Sequence, residues 1–219
     1  MTRFVFHFYR HGPRPKQRGK DEITPEGAKK ALERGLLLRE EIPESAEVIG
    51  MHSETGRARQ TLEKLFEGAG ITPSKIIETS QANIPVEPDH DYTERIYPKI
   101  GGTKYYKLVF GGRKPAKKGL PAFKQHYEPL IRLMQGITAE KTDAKEKHAV
   151  VVTHQGKLDA LFLALAGRKF SYVKTATDPL EKVVVELRKD GTGTVRFRGL
   201  QHRFNLEGKR IRRMTKTRK

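Results

Sequence analysis

Hydrophobic positions along this chain gather into short unbroken runs that alternate with stretches repeating every three to four residues. Phe4-Val5-Phe6-His7-Phe8 is the first run, and its aromatic and β-branched residues predict a buried strand. Val48-Ile49-Gly50-Met51 and Ala149-Val150-Val151-Val152 predict two more. Helical spacing follows each run. Thr24 predicts an N-cap with Pro25 at the first helical position, and Ala28, Ala31, Leu32 and Leu36 then form an apolar face before Pro43. Phe123, Tyr127, Leu130, Ile131 and Met134 predict a core-facing helix, and Leu158, Leu161 and Leu165 another, ended by Gly167. Lys182-Val183-Val184-Val185-Glu186-Leu187 and Thr194-Val195-Arg196-Phe197-Arg198 flank a Lys189-Asp190-Gly191-Thr192-Gly193 turn and predict a β-hairpin. Strands alternating with helices predict an α/β protein without internal repeats.

Chemistry collects where the predicted strands end. The first runs into Tyr9-Arg10-His11-Gly12, in which Gly12 permits a tight turn and His11 stands at the carboxyl end, where open α/β sheets bind ligands. A guanidinium beside an imidazole suits phosphoryl chemistry, because arginine grips phosphate oxygens bidentately while neutral imidazole attacks phosphorus. The neighbouring cation favours that neutral form. The second run is followed by His52-Ser53 and by Glu54-Thr55-Gly56-Arg57-Ala58-Arg59-Gln60-Thr61, which puts Arg57 in the first turn of a helix, itself an anion site. Arg59 reads as a solvated cation on that helix. The third run ends in Thr153-His154-Gln155-Gly156.

These elements resemble the histidine phosphatase superfamily, the phosphoglycerate-mutase-like fold. Arg10-His11-Gly12 is similar to the nucleophile motif, Ser53 to Thr61 to the S-x-x-x-R-A-x-Q-T element, and Thr153 to Gly156 to the second-histidine motif. Ile23-Thr24-Pro25-Glu26-Gly27-Ala28-Lys29-Lys30-Ala31 resembles the L-T-x-x-G-x-x-Q-A start of the first family helix. The resemblance covers most of the chain. It implies a three-layer α/β/α sandwich with a mostly parallel central sheet and an antiparallel C-terminal hairpin. It also implies a phosphohistidine intermediate on His11, with Arg10, Arg57 and His154 forming a positive pocket around the phosphoryl group. Fixed donors of that kind stabilise a metaphosphate-like transition state without a metal or other cofactor.

Two features depart from a single branch. Arg10-His11-Gly12-Pro13-Arg14-Pro15 is similar to the R-H-G-x-R-x-P form of the acid phosphatases and phytases, which makes Arg14 a further phosphate ligand. That branch places an aspartate after the second histidine, whereas Gln155 cannot protonate a leaving group and is read as a substrate ligand. The acid is expected in Pro85 to Arg95. There Glu94 fits the family's D-x-x-L-x-E pattern, with Glu87, Asp89 and Asp91 as rivals. The expected activity is hydrolysis of phosphomonoesters, on a small molecule or a phosphoprotein, or of phosphohistidine. A phosphoglycerate-type mutase is the alternative, although Pro13-Arg14-Pro15-Lys16-Gln17 replaces the E-S-x-x-N typical of that group. A nucleic-acid-associated or scaffold protein on a silent phosphatase fold is the competitor from another class.

At 219 residues the chain is long enough for one substantial core, and with no cysteine it has neither disulfides nor a thiolate nucleophile. Its apolar runs are too short to span a membrane and its N-terminal run is not a signal peptide, so a cytoplasmic location is expected. The net charge of +18 is local. Seven cations and no acid fall in residues 99–120, and seven more fall in 208–219. The expected organisation is therefore an α/β domain over 1–207, with 99–120 as a basic insertion or lid, followed by a basic tail over 208–219. Both segments suit anionic substrates, or nonspecific nucleic acid through counterion release.

Overall fold

The structure is a computed structural model that describes residues 2–13, 15, 21–84, 119–167, 177–207 and 210–213. Arg14, the segment with Glu87, Asp89, Asp91 and Glu94, nearly all of 99–120, and 208–209 and 214–219 lie outside the described residues.

Eight strands form one mixed sheet: β1 (Arg3–Arg10), β2 (Glu47–His52), β3 (Lys75–Glu78), β4 (Glu146–Thr153), β5 (Lys182–Leu187), β6 (Thr192–Phe197), β7 (Leu200–Glu207) and β8 (Arg210–Arg213). Their order is β3-β2-β4-β1-β5-β6-β7-β8. The first four are mutually parallel, and β5 joins β1 antiparallel to begin an antiparallel half. That half extends the expected hairpin by two strands. Its second turn is Arg198-Gly199, both residues at positive φ, a two-residue connection with the right-handed twist that hairpins need.

Helices α1 (Pro25–Glu41) and α2 (Gly56–Ala69) cover one face of the parallel half, and α3 (Gly119–Ala139) and α4 (Gln155–Ala166) cover the other. The alternation of β1 explains the division. Phe4, Phe6 and Phe8 pack with Leu130, Met134, Leu158 and Leu161, while Tyr9 packs with Leu38, Leu62 and Leu65. This is the three-layer arrangement expected. Phe162 of α4 also stacks against Phe197, so the antiparallel strands complete the cover of α4. No helix among the described residues is long and apolar enough to cross a membrane.

Thr24 caps α1 as expected, its side chain accepting from the Gly27 N–H at 3.0 Å. The buried stripe of α1 differs from the expected one. It runs Gly27, Ala31, Gly35, Leu38, and Leu36 is 63% exposed. The reason is the crossing with α2. A Cβ on Gly35 would lie 2.3 Å from the Leu65 carbonyl, and one on Gly68 would lie 2.1 Å from that of Leu32, so small residues and not leucines face the partner helix.

Candidate active site

The parallel pairing of β1 with β4 builds the site. Arg10 lies opposite Thr153 in register, so the chain leaves both strands side by side with His11 next to His154. Their rings meet edge to face at 5.1 Å between centroids. Strand register thus joins two residues far apart in sequence.

The hydrogen bonds of His11 define its tautomer. Arg57 Nε, which can only donate, reaches His11 Nε2 at 3.2 Å, so Nε2 presents a lone pair. The other nitrogen, Nδ1, then carries the proton and donates to the Gly12 carbonyl at 2.7 Å. Gly12 is not in the left-handed region, and its role differs from the expected one: a Cβ there would stand 3.2 Å from Ile23. What that position requires is space.

Helix α2 holds this loop. Thr61 receives the Gly12 N–H at 2.9 Å and donates to the Arg57 carbonyl at 2.6 Å, and Gln60 accepts from the Ile23 N–H at 2.9 Å. The residues of the R-A-x-Q-T pattern are therefore braces around a single cation. Arg59 points away and pairs with Glu63 on the helix surface. Sequence reasoning missed Asp21. Its carboxylate accepts from the Gly56 N–H and from Arg57 Nη1, each at 2.6 Å, and so occupies the N-terminus of α2.

Arg10 Nη1 donates to the Thr177 carbonyl at 2.5 Å. His154 is almost wholly buried, and burial, then His11, Arg57, Lys157 and Arg10, push its pKa down to about 2. At that value the imidazole is neutral. Its Nδ1 and the Nε2 of Gln155, the first residue of α4, are buried without a hydrogen-bond partner.

Two buried charges in α4 were also missed. Lys157, its pKa lowered to about 7 by burial and then by Arg132, donates to the Gln81 carbonyl at 2.6 Å. Together with the Thr153 hydroxyl on Ala82 it ties a 3₁₀ turn, Ser80–Ala82, to the end of β4. Asp159 accepts from the Thr177 N–H at 2.9 Å, and burial raises its pKa to about 6. The signal was present in the sequence, as two charges inside the otherwise apolar Gly156 to Ala166 pattern. Among the described residues no group of three or more His, Cys, Asp or Glu is placed to hold a metal ion.

Solved structures share this architecture. Phosphoglycerate mutase from Bacillus anthracis aligns with a TM-score of 0.62 at 13% identity, over 90% of this chain and 93% of that one. A phosphoserine phosphatase from Entamoeba histolytica, in complex with phosphoserine, aligns at 0.57 and 17% identity, over 93% and 95%. The protein histidine phosphatase SixA, complexed with tungstate, aligns at 0.54 and 17% identity, over 90% and 95%. No protein-family model and no curated protein sequence matches the chain. At these identities the likeness is one of fold. The chain has a phosphoglycerate-mutase-like fold.

Proposed function

We propose that the protein is a phosphatase that hydrolyses phosphomonoesters through a covalent phosphohistidine on His11. The observation that carries this reading is the Arg57 Nε–H donating to His11 Nε2, which puts a cation on the lone pair that would attack phosphorus. The fold agrees, since its solved neighbours include phosphatases as well as mutases.

In the first step His11 Nε2 forms a bond to phosphorus as the bond to the leaving oxygen breaks. Negative charge on the equatorial oxygens is met by Arg10 and Arg57, and His154 offers a neutral imidazole donor. The leaving oxygen takes a proton from a carboxylic acid, for which Glu94 is our candidate. In the second step water attacks phosphorus as the carboxylate left by the first step takes its proton, the N–P bond breaks, and inorganic phosphate departs as the lone pair returns to Nε2. Gln155, at the α4 N-terminus, and Arg14 are proposed phosphate ligands.

The test is hydrolysis of p-nitrophenyl phosphate in the presence of EDTA, with acid-labile phosphate trapped on the protein during turnover. The reading expects both, and expects both to vanish in His11→Ala. Activity that survives His11→Ala would overturn it. Transfer of the trapped phosphoryl group to 3-phosphoglycerate in preference to water would move the assignment to a mutase.

A further inference from the structure

Residues 177–181 wrap Arg10 from two sides. The Arg10 guanidinium donates to the Thr177 carbonyl, the Arg10 N–H donates to the Glu181 carbonyl at 3.0 Å, and the Arg10 carbonyl accepts from the Leu180 N–H at 3.1 Å. Leu180 adopts φ 64°, a left-handed conformation that a bulky residue takes only where its surroundings impose it. The segment is locked from outside by two charged side chains. Arg198, also left-handed at φ 47°, binds both oxygens of Glu181 at 2.8 and 2.5 Å. From α4, Asp159 accepts the Thr177 N–H, so the peptide units on either side of the Thr177 Cα are held by Asp159 and by Arg10.

A buried carboxylate is costly, and burial does raise the Asp159 pKa to about 6. The Thr177 N–H and the Arg10 charge draw it back toward ionisation. Asp159 also lies one helical turn after Gln155, on the same face of α4. The groups that face it lead to Arg10.

We infer that Asp159 is a positioning residue that fixes the Arg10 guanidinium at the phosphoryl pocket, acting through Thr177. The inference rests on the phosphatase reading for what Arg10 does, and on the hydrogen bonds alone for what holds it. Asp159 does not touch the transferred group. Its removal loosens the Thr177 backbone on which the Arg10 guanidinium rests.

Phosphate binding by calorimetry on the full chain, in a double-mutant cycle, tests this. Asp159→Ala is expected to weaken inorganic phosphate by about tenfold, within the range for partners in one hydrogen-bond network, and to weaken it hardly at all when Arg10 is already Ala. Asp159→Asn keeps an acceptor for the Thr177 N–H and should recover most of the affinity. Additive losses from Asp159→Ala and Arg10→Ala would overturn the positioning role while leaving the phosphatase reading intact. If the alanine variant does not fold, Asp159→Leu, which fills the space without an acceptor, carries the test through the NMR signals of the Arg10 side chain, which must shift when the Thr177 N–H loses its acceptor. Unmoved signals would overturn the role. A wild-type protein that neither binds phosphate nor forms phosphohistidine would overturn the phosphatase reading, and this role with it.

Discussion

Strands β1 and β4 carry two pairs of histidines, and the pairs behave differently. In mid-sheet His7 and His148 stack at 5.2 Å and share a hydrogen bond of 2.9 Å. His7 Nε2 and His148 Nδ1 face each other, so one donates and the other accepts, and Glu146 lies 3.1 Å from His148 Nε2. Both rings are neutral and spend a nitrogen on each other. At the strand ends His11 and His154 meet edge to face, and the lone pair of His11 Nε2 faces Arg57. The difference teaches that a histidine becomes a nucleophile candidate through what its second nitrogen meets. Position on the strand decides this, because mid-strand side chains face packed neighbours and the carboxyl ends open onto helix N-termini.

The largest effect expected from breaking this contrast is in turnover. His11→Ala should lower kcat by a factor on the order of 10⁴ or more, since a nucleophile has no substitute, whereas His7→Ala should leave kcat within about twofold. Both rates come from a single p-nitrophenyl phosphate assay. Arg57→Ala should cost about 10² to 10³ in kcat/KM, as for one lost transition-state donor. His7→Ala should instead destabilise the fold by about 3 kcal/mol, read by urea denaturation, because it opens a cavity and leaves His148 Nδ1 without its partner.

A pH prediction follows from the same rings. Burial first, then His148, Lys182, Arg196 and Arg3, hold His7 well below the ordinary 6.5, and burial does the same to His148 and His154. Below pH 6.5 the unfolded chain therefore binds protons that the folded one refuses. Stability should be fully present above that value and fall as pH drops through it. A Tm that stays flat from pH 7 to 5 would contradict these neutral rings. The smallest effect expected is at Asp21. Asp21→Asn removes a negative charge from the α2 N-terminus while keeping an acceptor for Arg57, and should tighten inorganic phosphate by about threefold.

Much of this was legible in the linear chain. The runs ending at His11, His52 and His154 were readable as strands because buried strands need unbroken apolar residues, and Thr24-Pro25 was readable as a helix start because capping is local. The face of α1 was not, since hydrophobicity favours Leu36 while the close crossing with α2 selects Gly35. Asp21 and Asp159 were missed for a related reason: a carboxylate reads as solvated until its partners are known.

What the sequence alone determined is therefore what depends on neighbours within a few residues: the strand and helix starts, and the placing of Arg10 and His11 at the end of one strand. Tertiary structure decided everything that needs register. The pairing of Arg10 with Thr153 brings His154 to His11, and the same register brings His148 to His7. It also decided the protonation of these rings and the path from Asp159 through Thr177 to Arg10. A hydrogen bond between residues far apart in the chain depends on strand order and helix crossing, and burial sets a charge only after the whole core has closed around it.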